Sequence, residues 1–218
     1  MSSRPQLRVV EDLPGSAAEI FLAEKPRTIA LSGGSTPAPV HERLAQSTYP
    51  WDEVEVFFGD ERCVPPDHPD SNFGMAKRTL LDHISPRGVH PMYECEADAY
   101  EKELRSVFGD DIPRFDLIFL GLGSDGHTAS LFPGRPAIDV TDRLVTYVPE
   151  PGLPPPHPRL TLTLPVLNNA ALALFLVAGE NKRLRVQQML EGAAIPAAGV
   201  QAERTIILAD RAAAEGFE

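Results

Sequence analysis

Long apolar runs are missing from this chain of 218 residues: none approaches the roughly 20 residues that a membrane-spanning helix requires, so no membrane partner is expected. Cysteine is scarce. Cys63 and Cys95 are too few for a secreted disulfide scaffold or a cysteine-only zinc site, and the expectation is two free thiols in a reducing cytosol. Positive charge is short as well. Twenty Lys and Arg stand against 31 Asp and Glu, a net charge of −11, which argues against nucleic acid as the main partner. An anionic ligand must then be met by local cations. The opening MSSRPQLRVVEDLPG lacks the apolar stretch of a signal peptide, which agrees with a cytoplasmic location. The six histidines show no HExxH-like spacing, so neither metal nor cofactor is expected.

What is plentiful is apolar side chain. At 43% hydrophobic, the chain can bury a sizeable core, and 1–218 reads as one large domain. Strand-like segments at Leu7 to Val10, Thr28 to Leu31, Val54 to Phe58, Phe115 to Leu120, Leu144 to Val148, Arg159 to Leu164, Ala171 to Val177 and Thr205 to Leu208 are interspersed with helical patterns. Among the helical segments, Tyr100 to Phe108 reads as an exposed amphipathic helix with no functional signal. Some six of these strands alternate with helices, which predicts an α/β fold with a largely parallel, Rossmann-like sheet and helices on both faces. Ala171 to Val177 is the most apolar strand and is expected to be central.

Four of these strands empty into polar clusters. After Leu31 comes Ser32-Gly33-Gly34-Ser35-Thr36-Pro37, in which successive backbone N–H groups and hydroxyls precede a helix, a pattern suited to phosphate. The competing reading is an ordinary glycine turn with Thr36 as helix N-cap. After Phe58 comes Gly59-Asp60-Glu61-Arg62, and after Val177 comes Ala178-Gly179-Glu180-Asn181-Lys182. Lys182 is either an anion ligand or a solvated helix lysine. The stretch after Leu120, GLGSDGHTASLFPG, contains GxGxxG, but Phe132-Pro133-Gly134 stops any following helix after about two turns, so a dinucleotide site is not expected. It does supply Asp125 and His127, a carboxylate beside an imidazole, the side chain best suited to proton transfer near neutral pH. His127 could alternatively cap the short helix after the turn. Because the ends of parallel strands fall on one edge, the four clusters are expected to meet there. Together they predict an enzyme acting on a small phosphorylated metabolite, most simply a sugar phosphate.

The motifs SGGSTP, GDERCVPPDHPDSNFGM, FDLIFLGLGSDGHTASLFPG, RLTLTLP and LVAGENK, in this order, resemble the 6-phosphogluconolactonases of the superfamily shared with glucosamine-6-phosphate deaminases. The resemblance implies hydrolysis of 6-phospho-D-glucono-1,5-lactone to 6-phosphogluconate, the second step of the oxidative pentose phosphate pathway, with a phosphorylated sugar lactone as ligand. It implies that Gly33, Gly34, Ser35 and Thr36 bind phosphate with Lys182, that Arg62 and Arg159 line the site, and that His127 is the general base. The residues themselves add the Ser32 hydroxyl to the phosphate cradle, Asp60 facing the rest of the substrate, and Asp125 as the carboxylate that orients either the imidazole or the water. Arg62 is the candidate for steadying the oxyanion. The segment before Thr28 is shorter than the strand and long helix usual in that family. Two other readings compete. In the related deaminases a glutamate stands five residues beyond the histidine, where this chain has Phe132. A non-catalytic sugar-phosphate sensor would need an output domain, for which the chain has no room.

Overall fold

The strands that carry the polar clusters are apolar along almost their whole length, and burial on both faces follows from that. In the computed structural model, which describes residues 4–93, 95–151 and 154–217, β9 (Leu172–Val177) is buried at every position. It lies in a seven-stranded sheet with β1 (Gln6–Val10), β2 (Thr28–Leu31), β3 (Glu55–Phe58), β5 (Gly88–Val89), β6 (Leu117–Gly121) and β10 (Arg204–Asp210). The order is β1-β10-β9-β6-β2-β3-β5, and all six pairings are parallel. β6 is therefore the central strand and the more apolar β9 its neighbour, a correction to the sequence expectation.

Helices α1 (Leu13–Glu24) and α2 (Pro37–Ala45) follow strands whose successors lie toward β5, and α3 (Asn72–Thr79) packs on α2. Helices α4 (Ala97–Phe108) and α6 (Arg183–Glu191) precede strands lying in the other direction, and α7 (Arg211–Ala214) packs on α6. Because parallel crossovers are right-handed, opposite travel puts the two groups on opposite faces. The apolar core between them includes the stacked rings of Phe21 and Phe119, centroids 6.3 Å apart, and a fully buried side chain of this size contributes about 1.5–3 kcal/mol. Helix α4 does more than shield the sheet: the Tyr100 hydroxyl accepts the Phe58 N–H at 3.0 Å.

Other expectations are corrected. The Arg159 strand, β8 (Arg159–Leu162), stops two residues early because the short helix α5 (Leu164–Asn168) follows it. No helix follows the glycine turn; 122–135 is turn and loop with one bridge, Thr128 to Leu131. Cys63 and Cys95 are not free but form a disulfide, Cα–Cα 5.3 Å, which removes the cysteine argument for a reducing compartment. Among the described residues, no helix is long and apolar enough to cross a membrane.

The feature that shapes the site is a second sheet, antiparallel, in the order β4-β8-β7, where β4 is Asp60–Arg62 and β7 is Val145–Val148. Gly59 joins the two sheets. Its N–H donates to Leu31 of β2 at 2.9 Å, and its carbonyl accepts from Leu162 of β8 at 2.8 Å. The charged residues expected at the end of β3 thus form a strand of their own, paired Asp60 to Thr161 and Arg62 to Arg159.

Candidate active site

A cleft of about 600 Å³ opens where β2, β6 and β9 end, between the main sheet and the small one. Ten of the eleven residues singled out from the sequence line it: the five of the Ser32–Thr36 loop, Asp60, Arg62, His127, Arg159 and Lys182. The eleventh, Asp125, stands beside His127. The break in strand order between β6 and β2 is the switch point at which open parallel sheets bind ligands.

The Ser32–Thr36 loop is shaped for close approach. Gly34 has φ +107°, a conformation that disfavours a side chain. Gly33 is required for space, because a β-carbon there would lie 1.7 Å from Asn72 Oδ1. Thr36 stands at the N-cap position of α2 but makes no capping bond with its side chain, so its hydroxyl is uncommitted at the positive end of the helix. Lys182 stands across the cleft at the end of β9. Burial lowers its pKa, and the charge of Asp125 opposes the shift.

Two arginines face each other across the small sheet. Arg62 Nη1 donates to the Asp70 carbonyl at 2.7 Å, and Arg159 Nη2 to the Pro155 carbonyl at 3.1 Å. Arg159 is only 4% exposed and lies over the Phe132 ring, 5.5 Å from its centroid. Burial lowers its pKa; Asp60 opposes this and Arg62 adds to it. Like charges directly opposite in an antiparallel pair are destabilising. Both Nε atoms are buried without a partner, as are Ser32 Oγ and Asn72 Oδ1. Four of the seven such atoms among the described residues therefore belong to residues lining this one cleft. Unpaired buried polar atoms cost about 1–3 kcal/mol each.

On the third side, Asp125 Oδ1 accepts the His127 backbone N–H at 3.0 Å and lies 2.6 Å from His127 Nδ1. Burial raises the Asp125 carboxyl, but the His127 N–H, the imidazole charge and the ring hydrogen bond outweigh it and hold the carboxyl below its usual range. Gly123 makes the pairing possible, since its N–H donates to the His127 carbonyl at 2.8 Å and a β-carbon there would lie 2.0 Å from Nδ1. Phe132 packs on the other side of the imidazole, centroids 4.5 Å apart.

Several contributors were not anticipated. Asn72 lines the cleft, donating through Nδ2 to the Asp60 carbonyl at 2.9 Å and to Asp60 Oδ1 at 3.2 Å. The sequence signal was there: either Ser71 or Asn72 could cap α3, and because Ser71 does so, Asn72 is free for the cleft. Ser130 donates to Asp60 Oδ2 at 2.6 Å, so both carboxylate oxygens of Asp60 are engaged by protein. Glu61, buried, accepts the N–H groups of Arg62, Asn72 and Phe73, each at 2.7 Å, and ties β4 to the start of α3. Burial pushes its carboxyl above the ordinary range, although those three N–H groups oppose the shift.

Residues 6–208 match the family model described as glucosamine-6-phosphate isomerases/6-phosphogluconolactonase. The chain belongs to that family. It is 49% identical over 167 residues to a protein named 6-phosphogluconolactonase from Synechocystis sp., covering 72% of this chain and 68% of that one. Among solved structures, a 6-phosphogluconolactonase from Thermotoga maritima superposes with a TM-score of 0.86 at 32% identity, covering 95% of this chain and all of that one. A 6-phosphogluconolactonase from Trypanosoma cruzi gives 0.89 at 30% identity, covering 99% and 98%. Family membership agrees with the parallel sheet and with the resemblance carried by the motifs.

Proposed function

We propose that the chain hydrolyses 6-phospho-D-glucono-1,5-lactone to 6-phosphogluconate, the second step of the oxidative pentose phosphate pathway. The observation that carries this reading is an imidazole held by a carboxylate, Nδ1 to Oδ1 2.6 Å, in the same cleft as a glycine-serine loop and two guanidinium groups. Asp125 beside Nδ1 assigns the ring proton to that nitrogen and leaves Nε2 as the acceptor.

In this mechanism the phosphate dianion rests on the Ser32–Thr36 loop with Lys182 as counter-charge, and that remote binding energy helps hold the lactone carbonyl carbon near His127. Nε2 takes a proton from water as the water oxygen adds to C1. The oxyanion that forms is stabilised by Arg62, with Arg159 beside it. Collapse breaks the bond between C1 and the ring oxygen, which leaves as a hydroxyl carrying the proton from the imidazolium. The new carboxylic acid then ionises. Asp125 remains anionic throughout and favours the transient imidazolium.

The test is a coupled assay with freshly generated lactone, compared with its spontaneous hydrolysis. Hydrolysis no faster than that background would reject the proposal, and tight binding without turnover would favour a sensor. The deaminase reading is disfavoured by Phe132, whose ring packs on His127 where a proton-relaying glutamate would be needed. Ammonia release from glucosamine 6-phosphate at a comparable rate would reverse that judgement.

A further inference from the structure

His68, Asp70 and His157 form a cluster that the proposed reaction does not use. None of the three lines the cleft. His68 and Asp70 lie on the loop between β4 and α3, and His157 on the segment leading into β8. One donor atom from each lies within 4.8 Å of the other two. Asp70 Oδ2 is 3.1 Å from His157 Nε2 and 3.8 Å from His68 Nδ1, and the two imidazole rings meet edge to face, centroids 5.2 Å apart. A tetrahedral Zn²⁺ with bonds of about 2.0–2.2 Å sets its ligand atoms roughly 3.3–3.6 Å apart, between those two separations.

The charge balance points the same way. Among the described residues, the Asp70 carboxylate pairs with no lysine or arginine, only with these two histidines. With neutral imidazoles the half-buried carboxylate has no cation in direct contact, since Arg159 acts on it only at longer range, and a divalent cation would neutralise it directly. Two imidazole nitrogens and one carboxylate oxygen suit Zn²⁺ or a neighbouring transition ion rather than Mg²⁺ or Ca²⁺, which prefer sets of oxygens. No local spacing in the sequence signals the cluster, because its members come from two distant segments.

We propose that His68, Asp70 and His157 bind one zinc-type divalent cation, with water completing the coordination, and that this ion clasps the two segments together. His68 Nδ1 now accepts the Asp70 N–H at 3.1 Å; ligation through Nε2 keeps that bond, whereas ligation through Nδ1 replaces it. The same segments support the arginines of the cleft, since Asp70 supplies the carbonyl that holds Arg62 and Pro155 the one that holds Arg159. The clasp therefore fixes the supports from which both guanidinium groups reach the ligand.

The experiment is calorimetric titration of the chelator-treated full chain with zinc chloride at neutral pH, with magnesium chloride as control. One equivalent of zinc should bind with micromolar affinity or better, and His157→Ala and His68→Ala should each weaken it by at least about tenfold. Zinc should raise the melting temperature of the wild type but not of H157A, whose metal-free melt shows whether it is folded. Should H157A not fold, H157Q takes its place. His127→Asn should bind zinc like the wild type. Failure of zinc to bind, equal binding of magnesium, or loss of zinc in H127N with retention in H157A would overturn the proposal, the last by moving the ion to the Asp125–His127 pair. Binding and melting need no turnover, so this test stands or falls separately from the lactone reading.

Discussion

Gly123→Ala tests whether the glycine turn sets the position of His127. The backbone of Gly123 is not left-handed, so alanine is excluded by space alone. Its methyl would lie 2.0 Å from His127 Nδ1, 2.3 Å from Cε1 and 2.6 Å from Asp125 Oδ1, all below the 3.0 Å that real contacts respect. The imidazole must therefore retreat by about 1 Å, and Phe132 limits the directions open to it. A displacement of that size at the reacting centre costs about 10²-fold in rate. Overpacking costs about 1–3 kcal/mol, roughly 2–12 °C in melting temperature for a chain of this length. Background-corrected hydrolysis should show the loss almost wholly in kcat, because the phosphate loop and Lys182 lie on other strands and KM should hold. A folded G123A variant with wild-type kcat would refute both the steric argument and the role given to His127.

As general base, His127 should contribute about 10²–10⁴-fold, so His127→Asn should lose that much kcat with KM little changed; full activity would remove the base. Lys182→Ala should lower kcat/KM by roughly ten- to a hundredfold, and unphosphorylated gluconolactone should be a poor substrate; equal hydrolysis of both lactones would exclude the phosphate cradle. His41 in α2 is fully buried, and burial lowers its pKa from 6.5 to about 4. The neutral form is favoured in the folded state, so stability is complete above the unfolded pKa and declines as pH falls from 6.5 toward 4, by roughly 3 kcal/mol in all. His41→Leu should flatten denaturation midpoints over that window, and because the Thr79 hydroxyl, 3.3 Å from the ring, also donates to the Met75 carbonyl, it is not orphaned; an unchanged slope would locate the acid lability elsewhere.

The parallel sheet and the convergence of four strand ends were legible because buried strands are continuous apolar runs and glycine clusters punctuate them. Ser32, Arg62, His127 and Lys182 could be assigned to one edge without knowing strand order. The small sheet was not legible. β4 has three residues, too few for any periodicity, and its partner β8 lies about a hundred residues away, so only tertiary structure reveals that Arg62 opposes Arg159. The expected helix after the glycine turn failed because Asp125 and Gly123 bond to His127 and hold the chain in a turn. The disulfide was missed for a related reason: composition counts cysteines but does not say that Cys63 and Cys95 are neighbours. Asn72 could have been found by asking which of two adjacent capping candidates was left over.

The pairing of Arg62 with Arg159 sets binding against folding. Two guanidinium groups directly opposite each other, each with a buried Nε that makes no hydrogen bond among the described residues, set like charges side by side in the small sheet. Replacing one with a neutral side chain of similar shape should make the free protein harder to unfold while weakening its hold on an anion, the usual exchange between stability and activity. A bound sugar phosphate should therefore raise the melting temperature of the wild type by more than that of such a variant, because its anion adds to the partial offset that Asp60 gives the two cations.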